Sequence, residues 1–213
     1  PPSPAPDTLA EFLLQRTAVA GSPEPARIDR LLAAESAGAL TLLNPGASGP
    51  AAAVAPLPDS QLQARIQAMP QLPLTSAAPK KMSLAGAQEK LPVVVDDSGT
   101  LFEPVGAQMS THILKPDALS EFYPASAVNE WFCARVAQTV GLPVPPVTLR
   151  YVPACIYLIQ RFDRNWVNGE LVRRHALDAA QLLSLSSGSK YTLSGVKALN
   201  DVVAICRAKA PPR

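Results

Sequence analysis

Charge, histidine and aromatic residues are scarce in this chain of 213 residues: charged residues make up 17%, aromatic residues 5%, and the two histidines are His112 and His175. The formal net charge is only +2, which argues against a polybasic surface made for direct contact with DNA or RNA. Two histidines cannot build a histidine-rich metal cluster, and they give little support to a Cys/His nucleophile pair. Cysteine is sparse too. Cys133, Cys155 and Cys206 are an odd number without metal-ligand spacing, which fits thiols packed as small hydrophobes in a reducing, cytoplasmic compartment. No apolar run is long enough to span a bilayer, so no membrane partner is expected. No basic start leads into an apolar segment of secretory type. What remains is a composition with 47% apolar residues, which is globular and long enough for one ordinary domain or two small ones.

Proline is the abundant exception. There are 23 prolines, and 13 of them lie in residues 1–80. The opening Pro1-Pro2-Ser3-Pro4-Ala5-Pro6 lacks the N–H groups that a helix or ladder needs, so it reads as an extended lead-in. The start without Met and the end at Ala210-Pro211-Pro212-Arg213 give both termini the look of cuts in a longer protein.

Helical spacing predicts helices over 7–15 and 25–37, with Gly38 placed to stop the second. Residues 39–43 then suit a buried strand, and Asn44-Pro45-Gly46 a turn. The Ala- and Pro-rich stretch 47–58 reads as a linker, and 59–69 as a short helix. The texture changes near residue 80. Residues 90–95 are a β-branched run, Asp96-Asp97-Ser98-Gly99 is a turn signal, and 100–102 resume the extended pattern, which predicts a hairpin. A third strand follows over 111–115. Val128, Trp131, Phe132, Val136 and Val140 then fall on one side of a helix over 125–140, stopped by Gly141. Strands over 146–152 and 154–160 and helices over 177–185 and 196–208 complete the pattern. Strands and helices do not alternate throughout, so the fold class is α+β with an antiparallel sheet, and a doubly wound parallel sheet is not suggested.

Four segments could carry chemistry. In Ser83-Leu84-Ala85-Gly86-Ala87-Gln88-Glu89-Lys90, small residues would let backbone N–H groups approach an anion just before a strand. Lys115, at the end of a predicted strand, could hold nucleotide phosphates as a point charge. Glu130, early in the predicted helix, could pair with Lys115 and orient it. Gln160-Arg161-Phe162-Asp163-Arg164 leaves an apolar strand where backbone groups could meet an adenine edge and Phe162 could pack on a base. Taken singly, each has a more ordinary reading: a small-residue turn, a solvated edge lysine, an acidic residue near a helix N-terminus, a charged strand exit. Their order raises the odds, because a kinase N-lobe strings together a loop over phosphates, a lysine and a glutamate partner in this way.

These segments, with 111–115, 128–133 and Gly188-Ser189-Lys190-Tyr191, resemble the HipA family of serine/threonine kinase toxins from bacterial toxin–antitoxin modules. The resemblance is convincing over residues 80–191 and weaker at 37–43. It implies a partial N-terminal subdomain and linker at 1–79, a kinase-like N-lobe at 80–165, and the start of a helical C-lobe at 166–213. It also implies that Ala85, Gly86, Ala87, Gln88, Glu89 and Lys90 form the phosphate loop, that Lys115 anchors the nucleotide, and that Glu130 supports it. Gln160, Arg161 and Phe162 would line the hinge beside adenine, with Asp163 nearby; the family often has Glu where Gln160 stands, so a backbone contact is the expected one there. Ser83 matches the serine that these kinases phosphorylate on themselves. The implied cofactors are ATP and Mg2+. The implied partners are a HipB-like antitoxin, which would carry the contact to DNA, and an aminoacyl-tRNA synthetase as substrate, with growth arrest as the outcome.

One departure matters. Phosphoryl transfer needs a base-supplying aspartate and ligands for magnesium, and after Tyr191 the only aspartate is Asp201. The sequence therefore reads as a kinase cut off before its catalytic centre, inactive by itself. The alternative is a dead remnant that binds an antitoxin or nothing.

Overall fold

A β-branched run becomes a strand when its backbone finds ladders and its alternating side chains find a core, and residues 91–95 find both. The computed structural model describes residues 35–36, 49–80, 82–83, 88–177, 183 and 195–209. The chain divides into two units, Arg30–Arg174 and a second that joins Pro1–Asp29 with His175–Arg213. The predicted helix over 7–15, the strand over 39–43, nearly all of the helix over 177–185 and segment 188–191 lie outside the described residues.

The larger unit contains a six-stranded antiparallel sheet in the order β2-β5-β4-β6-β8-β7. Its strands are β2 (Ala52–Pro56), β4 (Leu91–Val95), β5 (Leu101–Gly106), β6 (His112–Pro116), β7 (Val147–Tyr151) and β8 (Cys155–Gln160). A two-residue parallel bridge joins β1 (Glu35–Ser36) to β3 (Met82–Ser83). The helices are α1 (Asp59–Ala68) and α2 (Ser126–Thr139). In the second unit the predicted helix over 196–208 is present as α3, Gly195–Lys209.

Most predicted strands are found within a residue or two, and four differences have physical reasons. The linker expected at 47–58 instead contributes β2, which pairs along its whole length with β5. Alanine is a weak strand former, but at a sheet edge the backbone ladder decides, and Pro56 sits where only an edge strand tolerates it. Glu35–Ser36, expected at the end of a helix over 25–37, pair as a strand with Met82–Ser83; the rest of that helix lies outside the described residues. The apolar stripe of α2 does not face the sheet. Ala127 is buried while Val128, Phe132, Val136 and Val140 are exposed, and the sheet side carries Ala134, Ala137 and half of Trp131. Small residues let the helix come close to the strands, so approach, not apolarity, chose the inner face.

The fourth difference is a hairpin that hydropathy alone did not suggest, β9 (Arg164–Val167) with β10 (Glu170–Arg173). Its two-residue turn is Asn168-Gly169, both at positive φ, 51° and 81°, the left-handed pair that a type I′ turn requires.

One sheet face is the core. Leu91, Val93, Leu101, Leu114, Ile156 and Leu158 pack there with Leu62 of α1, each buried side chain contributing about 1.5–3 kcal/mol. Arg65 of α1 seats a two-pronged ion pair on Glu103, at 2.7 and 2.8 Å, which holds the helix on this face. The β4–β5 ladder is short, Val94 with Phe102 and Val95 with Leu101. Beyond it stand Pro92 and Pro104, which cannot donate to a ladder, so β4 continues with β6 and β5 with β2.

Gly106 ends β5 at φ +58°, where a Cβ would collide with the carbonyl oxygen of Ala51. Gly106→Ala is therefore expected to destabilise the protein by about 1–3 kcal/mol, read by urea denaturation. A change within about 0.5 kcal/mol would mean that the β2–β5 end yields more readily than this geometry allows.

Candidate functional site

The opposite sheet face carries the candidate site. Side chains alternate along a strand, so with Leu114 in the core, Lys115 points to the other face. There α2 lies against β6, β7 and β8. Register puts Tyr157 of β8 directly across from Lys115, and the ammonium lies 5.8 Å from the Tyr157 ring centroid. Lys115 Nζ donates to Glu130 Oε2 at 2.6 Å. This ion pair is open to solvent, its side chains 23% and 30% exposed.

The start of α2 explains why the two meet. Ala125 precedes the helix in the left-handed region, φ 53°, with no side-chain cap of its own. The cap comes from the segment after β6: Asp117 Oδ1 accepts from Ala127 N at 2.8 Å, and Ser126 Oγ accepts from Ala118 N at 2.7 Å. A carboxylate at a helix N-terminus is favourable both for hydrogen bonding and for the helix dipole. Because Asp117 lies just beyond Lys115 in the chain, the cap places the first turns of α2, and Glu130 with them, beside the lysine. Sequence reasoning missed Asp117 and Tyr157. An Asp and a Ser around a predicted helix start were visible signals for the first; the second needed the register. Burial, then the Glu130 charge, push the Tyr157 hydroxyl up to about 12, so it stays a neutral phenol beside the pair.

The expected loop is described in part. Ala85, Gly86 and Ala87 lie outside the described residues. Gln88 Nε2 donates to the Pro116 carbonyl at 3.3 Å, which ties the loop's exit next to Lys115. Glu89 turns elsewhere, its Oε2 accepting from Leu74 N at 2.9 Å. Lys90, half-buried, leads directly into β4. The backbone of Ser83 pairs with Ser36.

The segment after β8 divides its side chains between the surface and the interior. Gln160 N donates to Pro146 O at 3.0 Å and the residue pairs with His112. Phe162 is 68% exposed, so its ring is available. Arg161 and Asp163, in contrast, are buried and turned toward each other, Nε to Oδ1 at 2.9 Å and Nη2 to Oδ2 at 2.6 Å. Arg164 joins them at 3.0 Å. Burial alone would raise the Asp163 pKa; the Arg161 hydrogen bonds and the charges of Arg161 and Arg164 outweigh it and hold the carboxyl below the usual range. Of the expected residues, then, the fold brings Lys115, Glu130 and the exit of the loop at Gln88 together, while the polar ends of Glu89, Arg161 and Asp163 are engaged in the fold.

His112 begins β6 with Nδ1 2.8 Å from Thr111 Oγ1, and burial pushes its imidazole below 6.5. The folded state resists a proton that the unfolded chain accepts, so stability is expected to fall as pH drops through about 6.5. Urea midpoints between pH 8 and 5, compared with those of His112→Gln, test this; equal pH slopes in both proteins would refute it.

Residues 82–213 match the family model described as the HipA-like C-terminal domain. The chain belongs to the HipA family. Among its relatives is a Sinorhizobium fredii protein named "Putative kinase Y4mE", 36% identical over 85% of this chain and 44% of its own length. Another is the serine/threonine-protein kinase toxin HipA of Shewanella oneidensis, 31% identical over 76% of this chain and 37% of its own. A solved complex of Shewanella oneidensis HipA with HipB and operator DNA matches with a TM-score of 0.61 at 25% identity, covering 90% of this chain and 45% of that one. The chain thus spans less than half the length of these relatives.

Proposed function

We propose that residues 80–165 are the nucleotide-holding lobe of a serine/threonine kinase toxin, with Lys115 as the cation that binds ATP phosphates. The single observation that carries this is the 2.6 Å pair between Lys115 on β6 and Glu130 on α2, on an open sheet face in a protein whose relatives are named as kinases. The donor set fits the ligand. A partly solvated ammonium, held by a carboxylate that can release or share it, is suited to a polyphosphate, and the exposed Phe162 ring suits a base. ATP supplies the phosphoryl group; the part of these residues is to bind it and orient it. Ala85, Gly86 and Ala87 would cover the phosphates, with Gln88 fastening the loop. Among the described residues, no three His, Cys, Asp or Glu side chains are grouped to hold a metal ion.

The remaining roles rest on family membership. The substrate is a serine on a protein, an aminoacyl-tRNA synthetase, with growth arrest as the result. A HipB-like antitoxin is the partner, supported by the HipA–HipB–DNA relative, and DNA is reached through it. The setting that goes with these roles is cytoplasmic. Ser83 is the self-phosphorylation site: a charge of about −1.5 to −2 there would compete with ATP for the loop's N–H donors.

Phosphate transfer from labelled ATP tests this, measured on the chain and on a protein of its relatives' full length. Transfer by the longer protein alone is the expected result. No transfer by either would favour the remnant reading, in which the chain binds the antitoxin or nothing.

A further inference from the structure

Arg161, Phe162 and Asp163 alternate in, out, in as the chain leaves β8. Phe162 faces solvent, while the side chains of Arg161 and Asp163 are 1% and 6% exposed. We propose that Arg161 and Asp163 are positioning residues that do not touch a nucleotide but form, with Ser110 and Arg164, a buried clasp that fixes the backbone strip 160–162 against β6. The clasp stands on geometry; what the strip would hold rests on the nucleotide reading above.

Three bonds join this segment to Ser110 and Thr111, and the others brace it internally and against Arg174. The guanidinium of Arg161 spreads over three acceptors, both carboxylate oxygens of Asp163 and Ser110 Oγ, the last at 3.0 Å. The carbonyl of fully buried Ser110 accepts from Arg164 Nε at 3.2 Å. Arg161 N donates to Thr111 O at 2.9 Å, which carries the sheet contact past the last residue of β8. The Asp163 carbonyl accepts from Arg174 N at 2.9 Å and from Arg164 Nη1 at 3.0 Å, fastening the base of the β9–β10 hairpin as well. A two-pronged Arg–carboxylate fork is the most directional ion pair available to a side chain.

The consequence is a fixed spacing. Ser110 and Thr111 lead into β6, and the same strand carries Lys115 near its other end. A clasp at its start therefore sets the base-reading strip at a constant distance from the phosphate-holding cation. Positioning of this kind favours ligands whose base and phosphates match that distance, and it lets strip backbone groups tell an adenine edge from a hypoxanthine edge.

The test is amide hydrogen exchange on the whole chain without nucleotide, followed by titration with ATP, ITP and tripolyphosphate. Ser110→Ala removes one hydroxyl from the clasp, and Asp163→Asn removes its charge. Both are expected to speed exchange at Gln160 and Arg161 about tenfold while the β2–β5 ladder keeps its rate. Any preference for ATP over ITP should narrow, with tripolyphosphate binding unchanged. If Asp163→Asn does not fold, Ser110→Ala carries the test. Unchanged exchange at Gln160 and Arg161, or acceleration spread over every strand, would overturn the clasp. Weakened tripolyphosphate binding would overturn it too, by indicating direct contact. Localised acceleration in the two variants, with a wild-type chain that binds ATP no better than its Lys115→Ala variant, would keep the clasp and overturn the nucleotide reading.

Discussion

Replacing Lys115 by alanine in a protein of its relatives' full length is expected to cut phosphate transfer from ATP by about a hundredfold or more and to leave folding nearly unchanged. The two halves of this expectation have different origins. As an ion pair, Lys115–Glu130 is partly solvated, at 23% and 30% exposed, and such pairs contribute about 1 kcal/mol or less to stability. As an electrostatic element, a lysine fixed beside transferring phosphates acts where charge rearranges, and there a single preorganised group matters far more. Glu130→Gln should give a smaller loss, because the cation remains and only its orientation slackens. Transfer rates and thermal melts of the three proteins check this together. A Lys115→Ala protein that melts normally and transfers phosphate at the wild-type rate would remove Lys115 from the site.

Asp163→Ala is expected to produce the largest loss of stability, about 3–5 kcal/mol, or a melting temperature lower by about 10 °C. Asp163 is the carboxylate shared by Arg161 and Arg164 at 2.6 and 3.0 Å, and removing one member of a buried charge cluster leaves the others in a medium that solvates them poorly. The same geometry gives a pH dependence. The arginines hold the Asp163 carboxyl below its ordinary 3.8, so its contribution is present above that value and lost as pH falls through it toward the depressed folded value. Acid titrations of wild type and Asp163→Asn, followed by circular dichroism, should diverge above about pH 4 and converge in stronger acid. A difference that stays constant down to pH 2 would contradict the assignment.

These two residues also separate what a linear reading could reach from what it could not. Lys115 and Glu130 were legible because each belongs to a local pattern: a lysine ending an apolar strand, a glutamate in the first turns of a helix, in an order that a kinase lobe shares. Their meeting at 2.6 Å follows once β6 and α2 form in sequence, with Asp117 as the cap between them. Arg161 and Asp163 belonged to the same kind of motif, Arg161 expected to line the hinge and Asp163 to lie near it. Their side chains instead face inward, because their partner Ser110 lies 51 residues away from Arg161 and no local pattern reveals it.

The sequence by itself determined the α+β class, the order of most strands and helices, the hairpin turn at 96–99 and the HipA family. All of these rest on short-range causes: alternation, helical spacing, turn chemistry and motif order, each acting over a few residues. The tertiary structure alone decided that an Ala- and Pro-rich stretch would be an edge strand beside β5, and that α2 would turn alanines and Glu130 to the sheet and leave Val128, Phe132 and Val136 outside. It alone also decided that Arg161 and Asp163 would close on Ser110. A ladder, a helix face and a buried ion cluster each need a partner brought from elsewhere in the chain, and only the assembled sheet supplies it.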